Sequence, residues 1–339
     1  MKHYTQKVTD TARIRIAYYR SGESNKKKLL FLHGNLSSSV FLLPLLPDLE
    51  KEYDVIIPDL RCFGDTETAP IDATRGYRDW SDDLYALMNV IGWKSFYLAG
   101  WSLGGNIAMQ YATDHPKDVK KLILVCPGSP YGFGGTIDEK GTPLSPAGLG
   151  SGGGTANQAL VTATGMGSRL ILRDILHRFY FKPPFRMPRE WENLFIEAIS
   201  KIRIGNNYYP GNYHVFPKWP HVVSGDKGVL NAMSPLYANQ SDFLNIRKKP
   251  PVLWIRGLDD MIVSDHSMME LGALGQAGIV PGWPGMKSYP PQPMVSQIRH
   301  FLNLYMDKGG SYMEICLPGG HMCALESTRN FLNAFTSFA

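Results

Sequence analysis

The sequence predicts an α/β protein built on a mostly parallel central sheet flanked by helices, with an inserted helical cap. Three observations carry this. Short apolar, β-rich runs alternate with helix-length amphipathic segments up to residue 127; the alternation then fails; and a strand pattern returns at residue 250. The predicted layout is a core from residues 1–127 and 250–339 and a cap or lid insertion at 128–249.

Taken in order, "RIRIAYY" and "KLLFLHG" read as strands. "VIIPDL", "SFYLAG" and "KLILVCPG" are nearly continuous apolar runs, expected where helices cover both faces of a parallel sheet. Between them "VFLLPLLPDLEKE" and "YRDWSDDLYALMNVIG" read as helices, the second with Trp80, Leu84, Leu87, Met88 and Ile91 at helical spacing. Residues 128–154 are rich in Gly, Pro and Ser and read as a long loop. Helices are expected over "SRLILRDILHRFYF" and "REWENLFIEAISKIRIG", before the aromatic and proline-rich run "NNYYPGNYHVFPKWP". "PPVLWIRG" resumes the sheet. The irregular "GIVPGWPGMKSYPPQP" then precedes a helix ("MVSQIRHFLNLYMDK"), a strand ("YMEICLPG") and a closing helix.

At 339 residues, 44% hydrophobic and 19% charged, the composition is that of a globular protein, and no apolar run is long enough to span a bilayer. The N-terminal stretch has no signal-peptide apolar core, so a cytoplasmic location is expected. Four scattered cysteines, Cys62, Cys126, Cys316 and Cys323, suit free thiols in a reducing compartment. The net charge of +5 is thinly spread. With no basic stripe interleaved with aromatics, nucleic acid is not an expected partner, nor is a membrane. Cys316, His321 and Cys323 match no zinc spacing, so no metal is expected, and no cofactor either. The aromatics Tyr131, Phe133, Tyr208, Tyr209, Tyr213, Phe216, Trp219 and Trp283, set among Gly and Pro, are expected to contribute to a hydrophobic lid.

The chemistry centres on Gly100-Trp101-Ser102-Leu103-Gly104, a G-x-S-x-G run directly after a strand and before a helix. A nucleophile exposed on a sharp strand-to-helix turn has strained dihedrals and needs small neighbours two residues either side. The helix start then offers amide groups and a positive dipole end to a developing oxyanion.

With "FLHGN", "PDLRCFGDT", "GWSLGG", "RGLDDMIV" and "LPGGHMCALE" in this order, the chain resembles the α/β-hydrolase fold superfamily, in its capped, cofactor-free form with a Ser-Asp-His triad. The resemblance covers roughly residues 5–127 and 250–339. It departs from the family at Cys62, where glycine is usual, and at Asp65-Thr66. The resemblance implies Ser102 as nucleophile, His321 as general base and then acid, and Asp260 as the acid orienting the imidazole, with Asp259 and Asp265 as rival carboxylates. It also implies an oxyanion hole from the backbone N–H groups of Asn35 and Leu103, a structural His33, and Trp101 as a substrate contact. The expected activity is hydrolysis of a carboxylic ester or lactone of a small, largely apolar substrate through an acyl-enzyme. Carbon–carbon, amide or perhydrolytic chemistry on the same groups, and a non-catalytic binding protein of this fold, are the alternatives. The serine at position 102 argues against a dehalogenase or epoxide hydrolase, which would carry aspartate.

Overall fold

Eight strands form one sheet: β1 (Gln6–Asp10), β2 (Arg15–Ser21), β3 (Lys27–Leu32), β4 (Tyr53–Pro58), β5 (Phe96–Trp101), β6 (Val119–Val125), β7 (Val252–Gly257) and β8 (Tyr312–Leu317). Their spatial order is β1-β2-β4-β3-β5-β6-β7-β8. The β1–β2 and β2–β4 pairs are antiparallel and the remaining pairs parallel. The structure, a computed structural model, describes residues 3–150 and 152–339. Met1 and Lys2 of the N-terminal stretch and Ser151 of the Gly-rich segment lie outside the described residues.

The apolar runs form the central strands for the reason their composition indicates. All six residues of β4 are buried, and β3 and β5 are buried toward their C-terminal ends, because helices cover both faces. Helix α1 (Arg78–Ile91) buries Trp80, Leu84, Leu87 and Met88 against the core and stops at Gly92, whose left-handed φ of 78° closes the last turn. Helix α2 (Leu103–Asp114) follows β5 directly. The helix expected over residues 40–52 is not continuous. Pro44 and Pro47 each lack an N–H, so the segment folds as a tight three-residue-per-turn helix, Ser39–Leu45, and one α-turn, Leu46–Leu49.

Strands β6 and β7 are parallel neighbours although the inserted stretch separates Val125 from Val252 in sequence. That stretch carries α3 (Gln158–Gly165), α4 (Arg169–Ile175) and α5 (Arg189–Ser200). Its aromatic run folds into two short strand pairs, Ile204–Gly205 with Tyr209–Pro210 and Tyr213–Val215 with Val222–Ser224. Residues 128–152 contain no helix or strand among the described residues. After β7 come α6 (Met294–Asp307) and, behind β8, α7 (Thr328–Phe338). No helix among the described residues is long and apolar enough to cross a membrane.

One buried charge pair locks α1 beneath the site. Arg61 makes a bidentate pair with Asp83, Nε–Oδ2 and Nη2–Oδ1 both at 2.7 Å, and its Nη1 donates to the Pro70 carbonyl. Asp83 is 4% exposed, so Asp83→Ala strands a buried guanidinium. We expect a loss of about 3–5 kcal/mol in urea unfolding. Lys51→Ala, which breaks an exposed pair with Asp48, should cost under about 1 kcal/mol. Equal costs would refute the assignment.

Candidate active site

Ser102 joins β5 to α2 with φ 56° and ψ −126°, a conformation that an L-residue adopts only under strain. The flanking glycines are required by close approach. A Cβ at Gly100 would lie 2.1 Å from the Gly104 carbonyl oxygen, and one at Gly104 would lie 2.4 Å from that of His33. The turn therefore closes only without those side chains. Leu103 is the first residue of α2, so its N–H has no intrahelical acceptor.

His321 lies on the loop after β8, and its Nδ1 is 2.8 Å from Asp260 Oδ2 on the loop after β7. The other carboxylate oxygen, Oδ1, accepts from the N–H groups of Ile262 (2.8 Å) and Val263 (2.9 Å), which fixes the side chain. The rival carboxylates point elsewhere. Asp259 pairs with Lys182 on the surface at 2.9 Å. Asp265 accepts from Ser296 N (3.0 Å) and Oγ (2.7 Å), capping the start of α6.

Ser102 and His321 line one cavity of about 640 Å³ together with Asn35 and Leu103. Among the described residues no hydrogen bond joins Ser102 to His321; in free enzymes such contacts are commonly loose and tighten on substrate binding. Both irregular segments reach this cavity, through Gly128, Phe133, Gly150 and Gly152 and through Ile279 and Val280. Of the eight aromatics expected in a lid, Phe133 and Tyr209 line it.

Trp101 does not line the cavity, contrary to expectation. As the last residue of β5 its side chain points into the core, 2% exposed, and its indole N–H donates to the His321 carbonyl at 2.8 Å. Tyr180, which the sequence reading did not single out, lies between the parts of the site. Its hydroxyl donates to the Asn35 carbonyl (3.0 Å) and reaches that of Leu36 (3.2 Å), while its own carbonyl accepts from Met322 N. Its ring packs edge-on against those of Trp101 and His321. Glu326, the last residue of the "LPGGHMCALE" run and given no role by the sequence, accepts from Gly320 N (2.7 Å) and Lys182 N (2.9 Å), tying the histidine loop to the inserted stretch; burial pushes its pKa up. Tyr180 stands outside any motif, and Glu326 ends the "LPGGHMCALE" run with nothing local to assign it a role, so only folding reveals what each touches.

His33 holds the loop before Asn35. Its Nε2 accepts from Leu60 N (3.0 Å), which places the proton on Nδ1, facing the Gly34 carbonyl (2.9 Å). Burial lowers its pKa to about 3, so it stays neutral. The departures at Cys62 and Asp65-Thr66 are accommodated. Cys62 takes a left-handed φ of 73° with its thiol pushed up to about 12 by burial. Thr66 Oγ1 donates to the Asp59 carbonyl at 2.7 Å.

Cys316 sits exposed on β8 and does not join His321 and Cys323. A different trio converges: donor atoms of Cys126, Asp260 and His321 lie within 4.8 Å of one another. Hydrogen bonding to Cys323, whose Sγ is 3.6 Å away, and burial raise the Cys126 pKa, and the other two donors already bond each other.

The family model described as alpha/beta hydrolase fold matches residues 27–147, from β3 through the serine turn. Fluoroacetate dehalogenase of Burkholderia sp is 33% identical over 100 residues, 29% of this chain and 33% of that protein. Lipase 1 of Psychrobacter immobilis is 33% identical over 112 residues, 33% of this chain and 35% of that protein. The chain thus covers about a third of the length of these curated relatives. Among solved structures, an esterase from Rhodococcus sp. ECU1013 superposes with a TM-score of 0.62 at 17% identity, covering 99% of this chain and 98% of that one. Sheet order and the structural likeness over 99% of the chain show that it has the alpha/beta hydrolase fold.

Proposed function

We propose that the chain is a serine hydrolase that cleaves a neutral carboxylic ester or lactone through an acyl-enzyme. The observation that carries the reading is one cavity lined by a serine on a strained turn and by a histidine already bonded to a buried carboxylate. In the proposed mechanism Ser102 Oγ attacks the carbonyl carbon while His321 Nε2 takes its proton. Asp260 holds the Nδ1–H tautomer and stabilises the imidazolium. The N–H groups of Leu103 and Asn35 stabilise the oxyanion. His321 then gives the proton to the leaving oxygen, and water, deprotonated by the same nitrogen, releases the acid.

The lining sets the substrate class. Leu160, Ile175, Val263, Met268, Leu274 and Val280 supply an aliphatic wall, and no Lys, Arg, Asp or Glu lines the cavity among the described residues. An ionised acyl group would lose hydration there without a partner. Across p-nitrophenyl esters of graded chain length, kcat/KM should rise about fourfold per methylene until the cavity is filled. A succinyl half-ester should fall at least about tenfold below its neutral isostere. A preference for the charged ester would overturn this substrate class.

Trp101 enters as a positioning residue. Trp101→Phe removes the donor to the His321 carbonyl and leaves the cavity wall unchanged, so kcat should fall about tenfold with KM nearly constant, alongside a loss of about 1–2 kcal/mol in stability. A rise in KM at constant kcat would instead assign the ring to substrate binding.

A further inference from the structure

Two segments beside the cavity, residues 166–171 and 279–287, carry exposed apolar side chains. Met166, on the turn into α4, is 79% exposed and Leu170, in the first turn of that helix, 81%, and the next residue, Ile171, is exposed while also lining the cavity. On the second segment Ile279 is 57% exposed and likewise lines the cavity, and Met286, also exposed, follows on it. Isolated exposed apolar residues need no explanation, but side chains shared between a cavity wall and solvent on both lips do.

The net charge around these lips is positive. Residues 158–203 hold eight Lys or Arg against four Asp or Glu, a net +4 where the whole chain carries +5. Arg169, between Met166 and Leu170, is exposed and forms no ion pair among the described residues. Between Glu270 and Asp307 there is no acidic residue, and Lys287 stands exposed beside Met286. Apolar tips flanked by cations match the boundary of an anionic bilayer, where the tips enter the acyl region and the cations meet phosphates.

We propose that the protein docks peripherally on an anionic lipid surface through the Met166–Ile171 and Ile279–Lys287 lips, bringing the cavity mouth to the lipid phase. That the docked surface also supplies the apolar ester rests on the hydrolase reading; docking itself does not. Nor does it need a spanning helix.

Co-flotation of the full chain with vesicles tests this, using phosphatidylcholine alone and phosphatidylcholine mixed with phosphatidylglycerol. Binding should be at least about tenfold stronger to the anionic vesicles and should weaken as salt screens the cations. Met166→Ser with Leu170→Ser, and separately Arg169→Gln with Lys287→Gln, should each weaken it at least about fivefold while leaving turnover of soluble p-nitrophenyl acetate unchanged. Equal binding to both vesicle types, undiminished binding by either pair, or self-association through these residues without vesicle binding would overturn the proposal. Because flotation is read without turnover, an inactive but docking protein refutes the hydrolase reading alone.

Discussion

Ser102→Ala is expected to lower ester turnover by about 10⁶-fold, the scale seen when a serine-protease nucleophile is removed. The hydroxyl faces the cavity, so the fold should persist, with stability within about 0.5 kcal/mol of the parent. Ser102→Gly adds a structural signature. It should be equally inactive yet gain about 1 kcal/mol, because glycine adopts φ 56°, ψ −126° without the Cβ strain that serine bears there. Measured stability of the two variants, read beside their activity, separates a nucleophile held in strain from a serine in an ordinary turn. Retention of most activity by the alanine variant would end the acyl-enzyme mechanism.

Asp260→Asn should cut kcat by about 10⁴-fold, by analogy with the corresponding serine-protease change. Two acceptors are at stake on one side chain. Oδ1 takes the Ile262 and Val263 amides and Oδ2 takes the His321 ring N–H, so an amide must turn its NH₂ toward one set of donors. Turned toward His321, it would favour the wrong tautomer. Asp259→Asn loses a surface ion pair with Lys182 and should leave kcat within about threefold. Asp265→Asn weakens the cap on α6 and should cost about 1 kcal/mol of stability rather than rate. Were Asp265→Asn the crippling change, the acid would be misassigned.

How far the fold could be read from the sequence depended on burial. The parallel strands announce themselves because both faces are covered, as the all-buried β4 illustrates, and α1 because only one face is. β1 escaped because Gln6–Asp10 is a short, polar, exposed edge strand with no apolar alternation. The 40–52 segment misled because its leucines keep helical spacing while two prolines forbid the hydrogen bonds. At the site, Ser102, Asp260 and His321 stand in motifs tied to local turns, which made them legible, and the fold sets Asp260 and His321 within hydrogen-bonding distance. Trp101 faces the core because adjacency to Ser102 in sequence does not decide which face of the strand a ring takes. Tyr180 reaches Asn35, and Glu326 reaches Lys182, across more than a hundred residues of sequence, and no local pattern encodes those contacts.

The central claim is that Ser102 is a nucleophile activated by His321 and Asp260, and covalent labelling tests it most directly. The intact protein, incubated with a p-nitrophenyl alkylphosphonate and digested, should carry one stoichiometric phosphonyl adduct, mapped by mass spectrometry to the peptide containing Ser102. Labelling should slow at least about a hundredfold in Asp260→Asn, since the attacking oxygen loses its oriented base. No adduct, an adduct on another residue, or labelling of Ser102 at an undiminished rate in Asp260→Asn would contradict the account.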